Sequence, residues 1–380
     1  MIERRRPFAV YAITRHGIAV ASRLAAALPE TDLFVSEKLA ALAPPRAKLF
    51  PLPMGPLLAG TFRAYDAHVF VISVGAVVRM IAPLLVNKKV DPAVVCVDDT
   101  ARFSICVLSG HVGRGNVFSE RVAEVLGATP VVTTASDALG TLTVDILGRD
   151  LGWTLDDPDR NVTRASAAVV NEAPVLVVQE SGEPGFWPPD RKLPPGVHYT
   201  TSLEGVDPDA WEMLLIASTR DVEKSHPRHF ARSVVYRPKS LVLGVGCDRG
   251  TPFELVARGV ASILAAHGLS DKSVRSLATI DKKADEPALN ALSAARGWPL
   301  VTFSAEVLDA VRGIETPSER VKGFVGTRGV SEPAALLAAG STRLLVPKQR
   351  YTEEGAGRSM TLAIAELPFS PHFCSPTLAR

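Results

Sequence analysis

Val69-Phe70-Val71-Ile72-Ser73-Val74 is, Ser73 apart, apolar at consecutive positions rather than alternate ones. A strand with one solvated face would alternate, so this run belongs inside a parallel sheet covered on both faces. Gly75 then opens a helical stretch over 76–85. Toward the N-terminus, 8–13 is a short run of strand formers, followed by His16 and Gly17. Residues 18–28 carry the apolar face of a helix, and 33–35 form a weaker strand. Toward the C-terminus, 94–97 and 103–108 are strands separated by the turn signal Asp98-Asp99-Thr100. A Gly-rich loop over 110–116, an amphipathic helix over 117–126 and a strand over 131–134 complete the region. This order predicts an α/β domain with a mainly parallel sheet over 1–136.

The rest of the chain is read outward from that domain. Residues 137–238 are dense in Pro and Gly, with helical patterns at 142–151 and 162–172 and strands at 175–178 and 214–217. A long surface loop is expected over 181–196. Regular alternation resumes at Leu241, with strands at 241–245, 274–280, 301–303 and 344–346. Helices are expected at 252–267, 288–296, 318–325 and 332–339. The expected fold class is α/β: two doubly wound α/β domains, at 1–136 and 239–380, with a smaller α+β middle module at 137–238.

A chain of 380 residues suits two or three domains, and 47% hydrophobic residues supply real cores, which excludes disorder as the main state. The 42 Lys and Arg nearly balance 40 Asp and Glu, a net of +2, so no nucleic-acid partner is expected. Cys96, Cys106, Cys247 and Cys374 lie far apart with no C-x-x-C pair. That argues against a structural zinc site and a disulfide scaffold, and for a reducing cytoplasmic compartment. Arg5, Arg6 and Phe8 match a loose twin-arginine export pattern, but the apolar run behind Pro7 is too short for an export signal. The longest uncharged apolar stretch stops at Arg79 and is too short to cross a membrane.

The densest group of chemically useful residues is Leu108-Ser109-Gly110-His111-Val112-Gly113-Arg114-Gly115-Asn116. It joins a buried strand to a helix, at the strand's carboxyl end, where open α/β sheets bind ligands. Gly110, Gly113 and Gly115 let backbone amides approach a ligand, and the helix start near Asn116 favours an anion. His111 can move a proton near neutral pH; the plainer alternative is a tight turn whose histidine caps or packs. Ser109 is a poor nucleophile candidate, because the nucleophile elbow sets its serine in G-x-S-x-G. Asp98 and Asp99 end one strand and Asp137 follows another, in T-T-A-S-D. All three are expected on the sheet edge of His111, where one would orient its ring; otherwise each is a turn or cap aspartate. Arg79, Lys88, Lys89, Arg102 and Arg114 gather as a carboxylate-binding rim or as a solvated face.

A second constellation is G-V-G-C-D-R-G-T-P at 244–252. Thr251 is placed as N-cap, Pro252 as first helical residue and Glu254 as capping-box partner. A dinucleotide fingerprint needs G-x-G-x-x-G, but here the last gap is three residues, and the next acid, Asp281, lies 31 residues beyond Gly250. A site for another anion, built on Gly246, Arg249, Gly250 and Thr251, fits better. Cys247 reads as a small buried residue rather than a nucleophile. Lys282 and Lys283, in T-I-D-K-K-A-D-E-P, are expected at the same edge, with 324–329 as a third loop.

Several long motifs, in order, give the chain a resemblance. They are G-A-V-V-R-M-I-A-P-L-L, K-x-x-D-P-A-V-V-x-V-D-D, L-S-G-H-V-G-R-G-N, P-V-V-T-T-A-S-D, G-V-G-C-D-R-G-T, A-T-I-D-K-K-A-D-E-P, F-S-A-E and T-P-S-E-R-V. Together they resemble the cobalt-precorrin-5A hydrolases of anaerobic cobalamin biosynthesis, often called CbiG, over nearly the whole chain. One departure is that the family usually reads H-x-G-G-A-N where this chain has Arg114 and Gly115 at the central places. The resemblance implies hydrolysis of a δ-lactone on a cobalt-bound, ring-contracted tetrapyrrole, with release of acetaldehyde and formation of cobalt-precorrin-5B. It implies that the substrate carries its own cobalt, so neither a cofactor nor a protein metal site is expected. His111 would be the acid–base group, Asn116 and the glycine amides the oxyanion donors, and Asp98 or Asp137 the assisting acid. Arg79, Lys88, Arg102, Arg114, Arg249, Lys282 and Lys283 would meet the substrate's carboxylates. Neighbouring pathway methyltransferases are further expected partners. A non-catalytic corrinoid carrier and a nucleotide-dependent α/β enzyme are the alternatives.

Overall fold

A computed structural model describes residues 6–355 and 357–371. Arg5 of the export pattern and Cys374 lie outside the described residues. The chain divides after Ile146 into two compact units, so Asp137 falls in the same unit as His111.

Among the described residues, the first unit holds seven strands: β1 (Arg6–Ala12), β2 (Thr31–Ser36), β3 (Lys48–Phe50), β4 (Tyr65–Val71), β5 (Ala93–Val97), β6 (Phe103–Leu108) and β7 (Thr129–Val131). They form one sheet in the order β3-β2-β1-β4-β5-β6-β7, and β1 to β5 are parallel. Successive side chains of a strand point to opposite faces, so a strand buried on both must be apolar throughout. In β1, Phe8, Val10 and Ala12 face one core while Ala9 and Tyr11 face the other. The first core is closed by two helices. Arg15–Ala27 buries Ile18, Ala21 and Leu24 at helical spacing, and its N-cap Thr14 accepts from the Gly17 amide at 2.9 Å. Gly115–Leu126 buries Ser119, Val122, Ala123 and Leu126, and stops at Gly127 in the left-handed conformation that glycine adopts without strain. Leu58 and Phe62, with Val77 and Ile81 of the helix Val74–Ile81, close the second core.

β6 departs from the expected direction. It is antiparallel to β5, and β7 is parallel to β6. The register sets Leu108, at the end of β6, beside Val94, at the start of β5, while Ser104 faces Val97. The carboxyl ends of β6 and β7 therefore lie at the opposite edge from those of β1 to β5. Asp98 and Asp99 follow β5, so they sit roughly 13 Å along the strand from the start of the His111 loop, at 3.3 Å per residue.

In the second unit, β8 (Thr154–Leu155), β9 (Val175–Gln179), β10 (Val197–Thr200), β11 (Met213–Ala217) and β12 (Ser233–Arg237) form a sheet ordered β10-β9-β11-β12-β8. Four of these strands are parallel and β8 is antiparallel. The expected α+β module is thus refined to a small, mostly parallel sheet, with the helix Val162–Val170 packed on it. The helix expected over 142–151 is replaced by two 3₁₀ turns, Val144–Ile146 and Arg149–Leu151, with Gly148 and Gly152 at positive φ around the second.

The last sheet comprises β13 (Leu241–Cys247), β14 (Val274–Ile280), β15 (Leu300–Phe303), β16 (Leu344–Thr352) and β17 (Ser359–Glu366), ordered β15-β14-β13-β17-β16. β13 to β15 are parallel, and β17 is antiparallel to both its neighbours. Helices Phe253–Ala266 and Pro287–Arg296 cover one face, and Ser331–Ala339 covers the other. β17, which sequence pattern did not single out, is central, and Met360, Leu362, Ala363, Ile364 and Ala365 are buried. Main-chain bonds join this domain to the middle sheet: Asp221 N to Gly268 O at 2.7 Å, and Ser270 N to Thr219 O at 2.8 Å. Asp156 takes both Arg237 and Lys272 at 3.1 and 3.0 Å. Among the described residues, no helix is long and apolar enough to cross a membrane.

Candidate active site

The loop after β6 is shaped by close backbone approach. Ser109 takes φ +57, and its hydroxyl donates to Asp91 O at 3.0 Å, so it is not poised as a nucleophile. The amides of Gly115 and Asn116 fold back onto Ser109 O and Gly110 O at 2.9 and 3.1 Å. A Cβ on Gly115 would lie 2.6 Å from Leu108 O, and one on Gly110 would lie 2.7 Å from Asn116 Oδ1. Arg114, where the family usually has glycine, takes φ +63, a left-handed conformation that a side chain tolerates poorly. The resulting turn projects His111 toward the segment that follows β7.

In that segment Thr134 precedes the short helix Ala135–Leu139, which Gly140 ends. T-A-S-D has the spacing of a capping box, but the Asp137 carboxylate turns toward the histidine instead. Asp137 Oδ2 accepts from His111 Nε2 at 2.7 Å, from Asn116 Nδ2 at 2.9 Å and from the Thr134 hydroxyl. All three bonds converge on Oδ2, and the side chain is 41% exposed. Ser136 Oγ also reaches His111 Nε2, at 3.1 Å.

The other ring nitrogen is also paired. Nδ1 lies 3.2 Å from Asp145 Oδ1, on the 3₁₀ turn Val144–Ile146. His111 is thus held between two carboxylates, which favours the imidazolium with both N–H groups donating. The Asp145 bond, and then that of Asp137, hold its pKa above 6.5 against partial burial. Burial raises the Asp137 pKa, but its bonds from Thr134 and His111 outweigh this and leave it below 3.8. Sequence reasoning missed Asp145 because T-L-T-V-D-I-L reads as a helical face.

These shifts fix a pH window. A raised His pKa contributes stability below about 6.5, lost as the pH rises through the folded value. A lowered Asp pKa contributes stability above about 3.8, lost as the pH falls through the folded value. The cluster is therefore expected to stabilise the first unit most between about pH 4 and 6.5. Urea midpoints followed against pH for the native chain and for His111→Gln should diverge most inside that window. Parallel curves across it would refute the pairing.

Other expected residues fall into place differently. Asn116 is 6% exposed, with its amide hydrogens donated to Thr134 and Asp137; it holds Asp137 and is not an oxyanion donor. Among the described residues, the amides of Gly110 and Gly113 have no hydrogen-bond partner and remain as candidate donors. Asp98 belongs to the other edge, where its carboxylate accepts from the amides of Arg102 and Phe103 at 2.9 and 2.8 Å and closes the β5–β6 hairpin. Asp99 is bonded to Thr14 Oγ1 at 2.8 Å. Arg102 lies on the same hairpin, over the Phe103 ring, away from His111. Arg79 folds back onto Gly75 O at 3.1 Å and does not join the cluster. Lys88 stays exposed on the turn between Asn87 and Asp91, whose carbonyl receives Ser109, so it shares the edge of His111.

The C-terminal loops meet within the second unit. The helix that begins at Phe253 has Pro252 at its N-cap; Thr251 is buried and donates to Asp248 O at 2.8 Å, so the expected Thr251 cap and Glu254 capping box do not form. Arg249 bonds Asp285 Oδ1 at 2.7 Å and Lys282 O at 2.9 Å. Gly250, at φ +71, donates its amide to Glu286 Oε1 at 2.9 Å. Lys283 pairs with the fully buried Glu286 at 3.2 Å, and Lys282 reaches Val325 O at 3.1 Å. Both lysines therefore have structural partners. Gly246, Lys283, Phe324, Val330, Lys348 and Met360 line an open cleft that is apolar with two cations at its wall. Burial pushes the Cys247 thiol up to about 11, which disfavours a nucleophilic thiolate.

An α/β protein with a histidine clamped by carboxylates at a strand end is equipped for proton transfer. Comparison with known proteins narrows the class. Models of the cobalamin synthesis G N-terminal region, the cobalamin biosynthesis central region and the cobalamin synthesis G C-terminus match residues 56–137, 142–238 and 241–365. A cobalt-precorrin-5A hydrolase from Priestia megaterium is 37% identical over 97% of this chain and 97% of its own length. Another, from Salmonella typhimurium, is 32% identical over 87% of this chain and 91% of its own. Protein CobE from Sinorhizobium sp. is 37% identical over 28% of this chain and 70% of its own. The chain belongs to the cobalt-precorrin-5A hydrolase family of cobalamin biosynthesis.

Proposed function

We propose that this chain opens the δ-lactone of a cobalt-bound, ring-contracted tetrapyrrole and releases acetaldehyde, giving cobalt-precorrin-5B in the cytoplasm. Beyond the family relationship, the observation that carries the reading is the His111–Asp137 pair, on a loop where, among the described residues, the amides of Gly110 and Gly113 have no hydrogen-bond partner. An imidazolium with both N–H groups bonded cannot take up another proton. The accepting atom in this arrangement is Asp137 Oδ1. It takes the proton of the water that attacks the lactone carbonyl, while the glycine amides hold the developing oxyanion. Collapse breaks the carbonyl–oxygen bond, and the departing alkoxide recovers the proton. The same carboxylate then removes the alcohol proton as the carbon–carbon bond breaks. Acetaldehyde leaves, and the electron pair passes to the macrocycle, which takes up a proton. The imidazolium keeps Asp137 oriented and offsets the charge as it changes. Cobalt enters as part of the substrate, and the protein is not assigned a cofactor of its own. Pathway methyltransferases, which would supply and receive these intermediates, are the proposed neighbours.

The test is purified chain incubated with cobalt-precorrin-5A and assayed for acetaldehyde. Stoichiometric release with one product per substrate supports the proposal. Tight binding without acetaldehyde would leave a corrinoid carrier instead.

A further inference from the structure

Asp145 needs an explanation that its own turn does not supply. An aspartate in a 3₁₀ turn ordinarily caps a neighbouring amide. Here the carboxylate is 14% exposed, and among the described residues its hydrogen-bond partner is His111 Nδ1. The turn is anchored by the buried Leu142 and Val144 on either side of Thr143, so Asp145 projects from a fixed backbone. Its position settles two things about the ring. A proton is fixed on Nδ1, and Nε2–H is directed at Asp137 Oδ2 rather than at solvent.

We propose that Asp145 is a positioning residue for proton transfer, acting through the His111 ring to saturate Asp137 Oδ2 and reserve Oδ1 for the reacting proton. The proposal deepens the reading of His111 and Asp137 as the proton-handling pair and rests on it. The groups bonded at the two ring nitrogens are consistent with a cation there. Asp137 and Ser136 approach from the helix Ala135–Leu139, and Asp145 approaches from the turn. Asn116 and Thr134 act on the ring through Asp137, and Arg114 is the other charged residue of its loop. The two carboxylates and two potential cations of this set leave one carboxylate uncompensated if the ring is neutral.

Asp145→Asn is the informative variant, because its amide oxygen can still accept from Nδ1 while the charge is gone. Imidazole nitrogen shifts of ¹⁵N-labelled full-length chain are followed against pH without substrate, so the result does not depend on what the substrate is. The native ring should remain an imidazolium above pH 6.5, and Asp145→Asn should move its titration to lower pH. With substrate, Asp145→Asn should lose about tenfold or more in kcat with little change in KM, and Asp145→Glu should recover part of that loss. If Asp145→Asn misfolds, Asp145→Glu still reports through the same nitrogen shifts. A His111 titration identical in the native chain and Asp145→Asn would overturn the proposal. Full kcat in Asp145→Asn would overturn it as well. A shifted titration combined with no acetaldehyde from the native chain would retain the positioning role and reject the hydrolase reading.

Discussion

Asp137→Asn is expected to slow acetaldehyde release about 10²–10⁴-fold while fold and corrinoid binding persist. The carboxylate is held by three donors on Oδ2, from His111, Asn116 and Thr134. An asparagine can accept the same bonds through its amide oxygen, but it presents an NH₂ group where Oδ1 stood and cannot receive a proton. His111→Gln separates the two partners. It keeps a donor toward Asp137 but removes the fixed positive charge, so it should fall by a similar order if that charge is needed. Mass spectrometry then locates the failing step. Unreacted lactone means that water attack is blocked. A species at substrate plus water, with the extra carbons retained, means that carbon–carbon cleavage is blocked. Near-normal turnover in Asp137→Asn would remove Asp137 from the chemistry and return the base role to His111.

Gly244→Ala is expected to be the most damaging small substitution in the second unit. Gly244 lies within β13, where a Cβ would fall 1.8 Å from Ser331 O and 2.9 Å from Ala335 Cβ. Ser331 begins the helix Ser331–Ala339, which rests directly on the strand. The obstacle is helix backbone rather than the end of a flexible side chain, so relief requires moving the helix. Overpacking of this kind costs about 3 kcal/mol or more. At roughly 2–4 °C per kcal/mol for a unit of this size, the melting temperature should fall by about 6–12 °C. Gly250→Ala serves as a comparison, since its positive φ costs strain but its Cβ meets nothing. A thermal scan with Gly244→Ala within a degree or two of the native chain would contradict the close approach.

What could be read from sequence depended on whether a signal was local. The run Val69–Val74 declared its double burial through composition; β4 and its neighbours bear this out for Val69–Val71, and Ile72 is buried, whereas Ser73 is exposed and Val74 already opens the next helix. His111 and Asp137 were legible as neighbours because each follows a strand, and β6 and β7 run side by side. Strand direction was not legible from hydrophobic pattern, which is the same either way. The link told more than the pattern. Only five residues separate Val97 from Phe103, too few for a parallel crossover of a dozen or more, so β6 had to return antiparallel. That rule would have moved Asp98 and Arg102 to the far edge at once. Thr251 misled for another reason: a good capping sequence gives way when tertiary packing buries the side chain. β17 went unread although Met360, Leu362 and Ile364 alternate with Thr361, Ala363 and Ala365, the period of a strand; the small residues on its second face lower its overall apolarity, and its two antiparallel neighbours make it an interior strand.

The short β5–β6 link also bears on the order in which the chain acquires structure. Most neighbours in the first sheet are joined by long excursions through helices, whose closure entropy must be met before any contact forms. β5 and β6 need close only a five-residue loop, and Asp98 already ties that loop to its own backbone. His111, Asn116, Thr134, Asp137 and Asp145 then follow within one continuous stretch of 35 residues. Pairing of hairpins on this scale takes microseconds, well ahead of the crossovers that bring β1 beside β4. The segment that carries the proton-transfer residues is thereby suited to nucleating its unit, and substitutions in the 98–102 turn should slow refolding more than they speed unfolding.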